Sequence, residues 1–271
     1  MTTKSLVDIL SDDDIKILSK ILLNKKPKGN LRSLLKRRIR YKITKKVILF
    51  YLRFTKIGID SWQIYNCHYS LKKIQTVLKS KNVEFSNFTK YLSILSQNPI
   101  KISYIYYVTS NRISSQYISD LPEGVLLRFS PKTCFILSNK NLEERIEAVA
   151  EANKLTEIAK LRFAPYRLNQ IIKTYNKKIT SIVYSTNPEI TGVKGVSEIE
   201  FRGDDVITGL SYLLARLDRF RRLTTIFGPI IKIKFENDIS INVKGQISAK
   251  KIDSILDFLS YLDKLIQQKS T

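Results

Sequence analysis

The sequence is poor in the residues on which most enzyme and metal sites depend. Its 271 residues include one histidine, His68, and two cysteines, Cys67 and Cys134. One histidine excludes multi-histidine metal sites, and two cysteines without metal-site spacing predict free thiols. Neither a GxxxxGK[ST] phosphate loop nor a GxGxxG motif occurs. We therefore expect a non-enzymatic protein with no catalytic residue, no metal and no cofactor.

Long apolar runs are also missing. The longest, residues 47–52, has six residues, whereas a membrane-spanning helix needs about 20. Residues 1–23 carry Asp8 and Asp12 to Asp14 where a secretory signal would need an apolar centre. We expect no membrane partner and a cytoplasmic location, associated with the nucleoid if the source is prokaryotic.

Acidic residues are absent from residues 15–59, where basic residues are dense. Residues 15–83 hold 19 Lys or Arg and one acid, Asp60, within a chain of net charge +23. A solvated helix face usually mixes both signs, and a cluster of one sign repels itself unless a polyanion relieves it. A solvated face and an anionic membrane surface are the alternatives. The pattern favours nucleic acid, with duplex DNA ahead of RNA.

Helical periodicity organises this basic segment. The stretch SDDDIKILSKILL predicts a first helix, capped by Ser11 or Asp12 and ended by Pro27 and Gly29. Apolar residues then recur at spacings of three and four from Leu31 to Phe54. They predict one helix, or two consecutive helices, with the basic side chains on the faces away from the apolar stripe.

The segments that follow predict a winged helix-turn-helix order. Two short helices are predicted at about 70–80 and 85–97, then a strand at 100–108 and a hairpin over 124–138. We therefore expect a winged-helix-like basic module over residues 1–140, in which helix 85–97 and the hairpin approach a groove of the nucleic acid.

The predicted contacts with nucleic acid are basic residues, which neutralise phosphates, and one amide of the predicted groove helix. They are Lys25, Lys26, Lys28, Arg32, Lys36, Arg37, Arg38, Arg40, Lys42, Lys45, Lys46, Lys72, Lys73, Asn87, Lys90, Arg128 and Lys132.

The second half of the chain is nearly neutral and predicts a different module. A helical connector is expected over 141–165, followed by an α+β domain over 166–271. The predicted order in that domain is ββαββα, with strands at 178–185 and 196–203, a hairpin over 229–245 and a final helix at 248–267. The whole chain is predicted to be α+β with an antiparallel sheet. The second domain would hold a protein partner or a second copy of the chain.

Carboxylates near the start of this domain leave an enzymatic alternative open. Glu198 and Glu200 would share one face of a strand, and Asp204 and Asp205 follow it. Such a group could hold magnesium for a nuclease, although the two aspartates also suit a helix cap. The prediction remains a non-enzymatic DNA-binding protein, acting as a transcription regulator, replication factor or nucleoid-associated factor, with an RNA-binding or ribonucleoprotein component as the first alternative.

Overall fold

The structure is a computed structural model, and it describes most of the chain. The described residues are 6–23, 29–67, 76, 83–87, 104–110, 121–129, 134–152, 158–186, 197–217 and 227–268. The helices in this part are α1 (Asp12–Leu23), α2 (Leu31–Arg38), α3 (Lys42–Tyr51), α4 (Lys140–Ala152), α5 (Pro165–Thr174), α6 (Val206–Leu217) and α7 (Ile252–Gln267), and a π-helical turn, Leu52–Ile57, continues α3. No helix of the described residues is long and apolar enough to cross a bilayer.

The strands form one antiparallel sheet. They are β1 (Ile59–Cys67), β2 (Val83–Asn87), β3 (Tyr104–Ser110), β4 (Gly124–Arg128), β5 (Cys134–Ser138), β6 (Ile158–Lys160), β7 (Ile179–Thr186), β8 (Glu198–Arg202), β9 (Phe227–Phe235), β10 (Ser240–Asn242) and β11 (Gln246–Ala249). Their order is β2-β3-β4-β5-β1-β11-β10-β9-β7-β8, and β6 also pairs with β1. The predicted α+β class with an antiparallel sheet is confirmed.

Strand β1 joins the two halves of the sheet. Its residues 63–67 pair with β5, while Ile59, Trp62 and Gln63 pair with β11 from the far end of the chain. Strand β6 pairs with the end of β1 on the β11 side. Strands from both halves of the sequence therefore share one continuous set of backbone hydrogen bonds.

The main core lies on one face of this sheet. Trp62, Ile247, Ile241 and Ile233 are register partners along neighbouring strands and are all buried. Buried residues of α1, α2, α3, α5, α6 and α7 belong to the same apolar cluster. The rings of Phe54 and Trp62 meet edge to face at 5.9 Å. The basic helices α2 and α3 are therefore fixed to the sheet by their apolar stripe.

The opposite face differs between the two halves of the sheet. Helix α4 packs against β1 and β5, where Cys67 and Cys134 are direct cross-strand partners and remain free, buried thiols. On β8 and β9 that face is open, since Arg202, Lys232 and Lys234 are exposed there. We call the exposed side chains of β8 and β9 on this side the open sheet face.

The prediction of a groove helix over 85–97 is wrong for residues 85–87. Val83–Asn87 forms β2, and Asn87 pairs with Tyr106 of β3 in an antiparallel register. The stretch VEFSN alternates apolar and polar residues, which suits a strand once a partner lies alongside. Asn87 thus lies on a strand and not on a helix. Residues 88–97 and the predicted helix 70–80, apart from residue 76, lie outside the described residues.

The predicted hairpin over 124–138 is present as the paired strands β4 and β5, while residues 130–133 between them lie outside the described residues. Strands β4 and β5 pair with each other, and between them only Arg128 is not fully buried. Helix α4 lies on one side of β5, and the main core lies on the other. The described residues of these two strands are therefore mostly buried and are not exposed for contact with a groove. The winged-helix arrangement is not confirmed.

Two further boundaries differ from the prediction. Within the segment where a helical connector was expected, α4 spans Lys140–Ala152, and Ile158–Lys160 forms β6, which pairs with β1. Three strands, β9, β10 and β11, stand between α6 and α7 where a two-stranded hairpin was predicted. The third strand, β11, was missed; it pairs with β10 on one side and with β1, from the first half of the chain, on the other.

Candidate nucleic-acid interface

Helix α2 has a capped N-terminus, one buried contact with the core and a basic C-terminal turn. Asn30 caps it, since its side-chain oxygen accepts from the backbone N–H of Ser33 at 3.2 Å. Leu35 is fully buried and fixes the helix to the core. The last turn carries Lys36, Arg37 and Arg38, and cations at this end are stabilised by the helix dipole. The helix therefore presents its positive charge at its C-terminal end.

The chain turns between α2 and α3, and we call residues 37–41 the arginine turn. The N–H of Tyr41 donates to the carbonyl of Arg38 at 2.9 Å, which closes the turn. Arg37, Arg38 and Arg40 are exposed, and no carboxylate in the described part of the chain pairs with them. Their guanidinium groups remain available for phosphate oxygens.

An exposed aromatic ring accompanies these arginines. Tyr41 is 53% exposed, and the Arg40 guanidinium lies 5.3 Å from the centre of its ring. The sequence analysis did not single out Tyr41. The missed signal was a ring inside a basic run at a helix boundary, where an aromatic is less easily covered.

Arg32 and Lys36, two of the predicted contact residues, are held by polar groups from the start of the chain. The Arg32 guanidinium donates to the carbonyls of Val7 and Leu10 and to the Asp12 carboxylate, at 2.9–3.1 Å. Lys36 forms an ion pair with Asp8 at 2.5 Å. The acidic start of the chain therefore neutralises the first part of α2, and the free positive charge is concentrated beyond it, in the arginine turn.

Asp14 connects α1 to the end of α3. Its carboxylate accepts from the Ser11 hydroxyl at 2.6 Å, from the Tyr51 hydroxyl at 2.5 Å, and pairs with the Lys56 ammonium at 2.7 Å. Burial by itself would raise the pKa of Asp14, but Lys56, Ser11 and Tyr51 stabilise the anion and lower the pKa to about 2. This ionised carboxylate therefore links α1 to the end of α3 and to the π-helical turn.

Most of the remaining predicted contact residues are either less exposed than the arginine turn or lie outside the described residues. Lys42 begins α3, and Lys45 and Lys46 in the same helix are half-buried. Arg128 is half-buried at the end of β4. Seven predicted contacts lie outside the described residues: Lys25, Lys26, Lys28, Lys72, Lys73, Lys90 and Lys132. The structure thus brings together Arg32, Lys36, Arg37, Arg38 and Arg40 on α2 and the turn that follows it.

Two of the four carboxylates considered for a nuclease, Glu200 and Asp205, have other partners. Glu200 accepts from the Ser181 hydroxyl and from Arg202, both at 2.6 Å. Asp205 accepts from the N–H of Thr208 at 3.2 Å and so caps α6. Within the described residues, no three His, Cys, Asp or Glu side chains approach closely enough to hold a metal ion. Glu200 and Asp205 are thus explained by local hydrogen bonds.

A polar cleft of about 510 Å³ lies between the open sheet face and the start of β1. Its lining includes Lys232, Lys234 and Lys250 as well as Asp60 and Asp238. Lys250 pairs with Asp238 at 3.5 Å, and Asp60 accepts from the Ser248 hydroxyl at 2.9 Å. Both signs are mixed here, in contrast to the arginine turn.

No protein-family model matches this chain, and a search of curated proteins finds no significant match. Function must therefore be inferred from the geometry and charge described above.

Proposed function

We propose that this protein binds nucleic acid, with duplex DNA as the preferred form, and that it contacts the phosphate backbone through the arginine turn. The observation that supports this most directly is the exposure of Arg37, Arg38 and Arg40 without a neutralising carboxylate in the described residues. Arginine matches phosphate geometry in bidentate pairs. In this proposal the protein acts as a binding factor in the cytoplasm or nucleoid.

Two further features support a phosphate partner. The arginine turn belongs to residues 15–83, where 19 basic residues face one acid. The acids that do neutralise this region, Asp8, Asp12 and Asp14, engage Lys36, Arg32 and Lys56. None of these acids pairs with the arginine turn. Arg32 and Lys36 on α2 are therefore neutralised, whereas the neighbouring arginines of the turn are not.

A salt-titrated binding series tests this function. The full chain is titrated with labelled duplex DNA, single-stranded DNA and structured RNA by fluorescence anisotropy at several salt concentrations. Replacing Arg37, Arg38 and Arg40 by Glu is expected to weaken DNA binding by well over tenfold and to reduce the slope of log affinity against log salt by about 3. Tighter binding to RNA at matched salt would replace DNA by RNA as the partner.

A control with the same change in net charge separates local contact from overall charge. Lys232→Glu, Lys234→Glu and Lys250→Glu change residues that line the cleft beside the open sheet face, whereas α2 and α3 pack on the opposite face. We expect this triple variant to retain most of the affinity. Equal losses in both triple variants would show that only net charge matters, and unchanged affinity in the arginine variant would refute the assigned surface.

A further inference from the structure

Among the described strands, β8 is the last of the sheet, and the backbone groups along its outer edge follow a regular pattern. Among the described residues its pairing partner is β7 alone. The Ser197 carbonyl and the Gly203 N–H both bond to β7. Because backbone groups alternate in an antiparallel ladder, Glu198, Glu200 and Arg202 direct their N–H and C=O groups to the outer edge. Such an edge is a template for another strand.

We propose that this edge binds a second copy of the same chain, so that β8 pairs with β8 of the partner in an antiparallel two-fold arrangement centred on Glu200. In that register Glu198 faces Arg202 of the partner subunit, and Ile199 faces Phe201 of the partner subunit. The sequence Glu-Ile-Glu-Phe-Arg is thus complementary to itself in both charge and apolar character. The three outward-facing residues of each strand would exchange about six backbone hydrogen bonds.

The central glutamates do not oppose this pairing. Each Glu200 accepts from Arg202 and Ser181 of its own chain, and these hydrogen bonds, that from Arg202 first, lower its pKa to about 2. Each carboxylate therefore reaches the two-fold axis already compensated by a guanidinium. The side chain of Arg202 is 76% exposed, so it has donors left for Glu198 of the partner subunit.

Helix α6 supplies a second reason for choosing a copy of this chain. Val206 and Leu210 pack into the main core, and the helix contacts both β7 and β8. Its apolar residues Ile207, Tyr212 and Leu213 remain 40%, 58% and 37% exposed. Helix α6 lies over β7 and β8, and neighbouring strands are spaced about 4.8 Å apart. Across a β8–β8 pair, the two copies of α6 would therefore be separated by about two strand spacings, or about 10 Å, on one face of the joined sheet. That is the usual distance between packed helices, about 8–10 Å.

The mass of the free protein tests the proposal first. Nuclease-treated protein, without bound nucleic acid, is measured by light scattering and sedimentation velocity over a concentration series. We expect twice the chain mass of 31.4 kDa. A monomer at every concentration would overturn the proposal, whatever the protein's affinity for DNA.

Charge exchange then tests the register. Glu198→Arg alone places two arginines opposite each other, and Arg202→Glu alone places two glutamates opposite each other, so each variant is expected to dimerise at least about tenfold more weakly. Mixing the two variants restores opposite charges at both positions and should restore a heterodimer. Failure of the mixture to associate, when each variant alone is folded by circular dichroism, would refute this register.

A cysteine at the two-fold axis gives an independent test. In a hydrogen-bonded antiparallel pair the two Cα atoms lie about 5.5 Å apart, within the range for a disulfide. Glu200→Cys should therefore form a covalent dimer on mild oxidation. The native Cys67 and Cys134 should not interfere, because both are buried. Glu198→Cys is the matched control, since its two copies would be separated by about 13 Å along the strands. Equal crosslinking of both variants, or of the control only, would overturn the proposal.

Discussion

At the scale of single residues, Asp14 links α1 to the end of α3 beside the basic surface. Its side chain is 7% exposed and binds Ser11, Tyr51 and Lys56. Removing it leaves the buried Tyr51 hydroxyl without its acceptor, so Asp14→Ala should cost about 1–3 kcal/mol of unfolding free energy in denaturant titrations. Asp13→Ala is the control, because Asp13 is 85% exposed and should change stability by less than about 0.5 kcal/mol.

The same carboxylate gives a pH dependence with a defined sign. The pKa of Asp14 falls from 3.8 to about 2 on folding, so its contribution is complete above about pH 4 and is lost as the pH drops through about 2. The stability difference between wild type and Asp14→Ala should therefore shrink over this interval. A difference that stays constant down to pH 2 would contradict the assigned ion pair.

The two thiols are expected to be unreactive in the folded protein. Burial raises the pKa of Cys67 and raises that of Cys134 to about 12, so neither forms a thiolate at pH 8. A thiol-specific chromogenic reagent should label neither cysteine in buffer and both in denaturant. Rapid labelling of the native protein would show that α4 opens readily from β1 and β5.

At the scale of elements, the turn from the π-helical segment into β1 depends on Gly58. Its φ is +78°, and an added Cβ would lie 2.5 Å from the carbonyl oxygen of Ala249 and 2.9 Å from the Cα of Lys250. Gly58→Ala should therefore cost at least about 1–3 kcal/mol. The added Cβ of Gly203→Ala meets no atom within 4 Å, so this variant is the matched control and its stability should be nearly unchanged. Thermal unfolding of both variants and of the wild type measures the difference.

Local signals explain which elements could be predicted. The start of α1 at a Ser-Asp run and the apolar stripe of α2 and α3 are encoded by neighbours three and four residues apart. Strand β1 was missed although it lies directly after Gly58, because its stability comes from β5 and β11. The end of β2 was taken for the start of a helix, because its partner β3 lies further along the chain. Pairing partners far away in the chain leave no local trace.

The site was predictable in its composition but not in its detail. The excess of positive charge over residues 15–83 is visible in the sequence. That Arg32 and Lys36 are neutralised by Asp12 and Asp8 is not visible, because it requires the N-terminal turn to fold back onto α2. Only the three-dimensional arrangement singles out the arginine turn as the exposed part of the basic run.

At the scale of the whole molecule, the continuous sheet predicts cooperative unfolding. The pairing of β1 with β11 links strands from both halves of the sequence, so unfolding either half exposes the core of the other. Circular dichroism and tryptophan fluorescence, which reports on Trp62 in β1, should give coincident denaturant transitions. Two separate transitions would instead support the independent modules expected from the sequence, 1–140 and 166–271.

The position of β1 has a consequence for biosynthesis. Ile59 pairs with Ala249, so this strand leaves the ribosome long before the segment that completes its ladder has been translated. During that interval the nascent chain carries an unsatisfied strand edge next to its most basic segment, and such edges recruit chaperones or aggregate. Contacts this distant in sequence also slow folding. Premature stops that remove β11 should therefore leave the entire product, including its intact N-terminal helices, prone to aggregation and degradation.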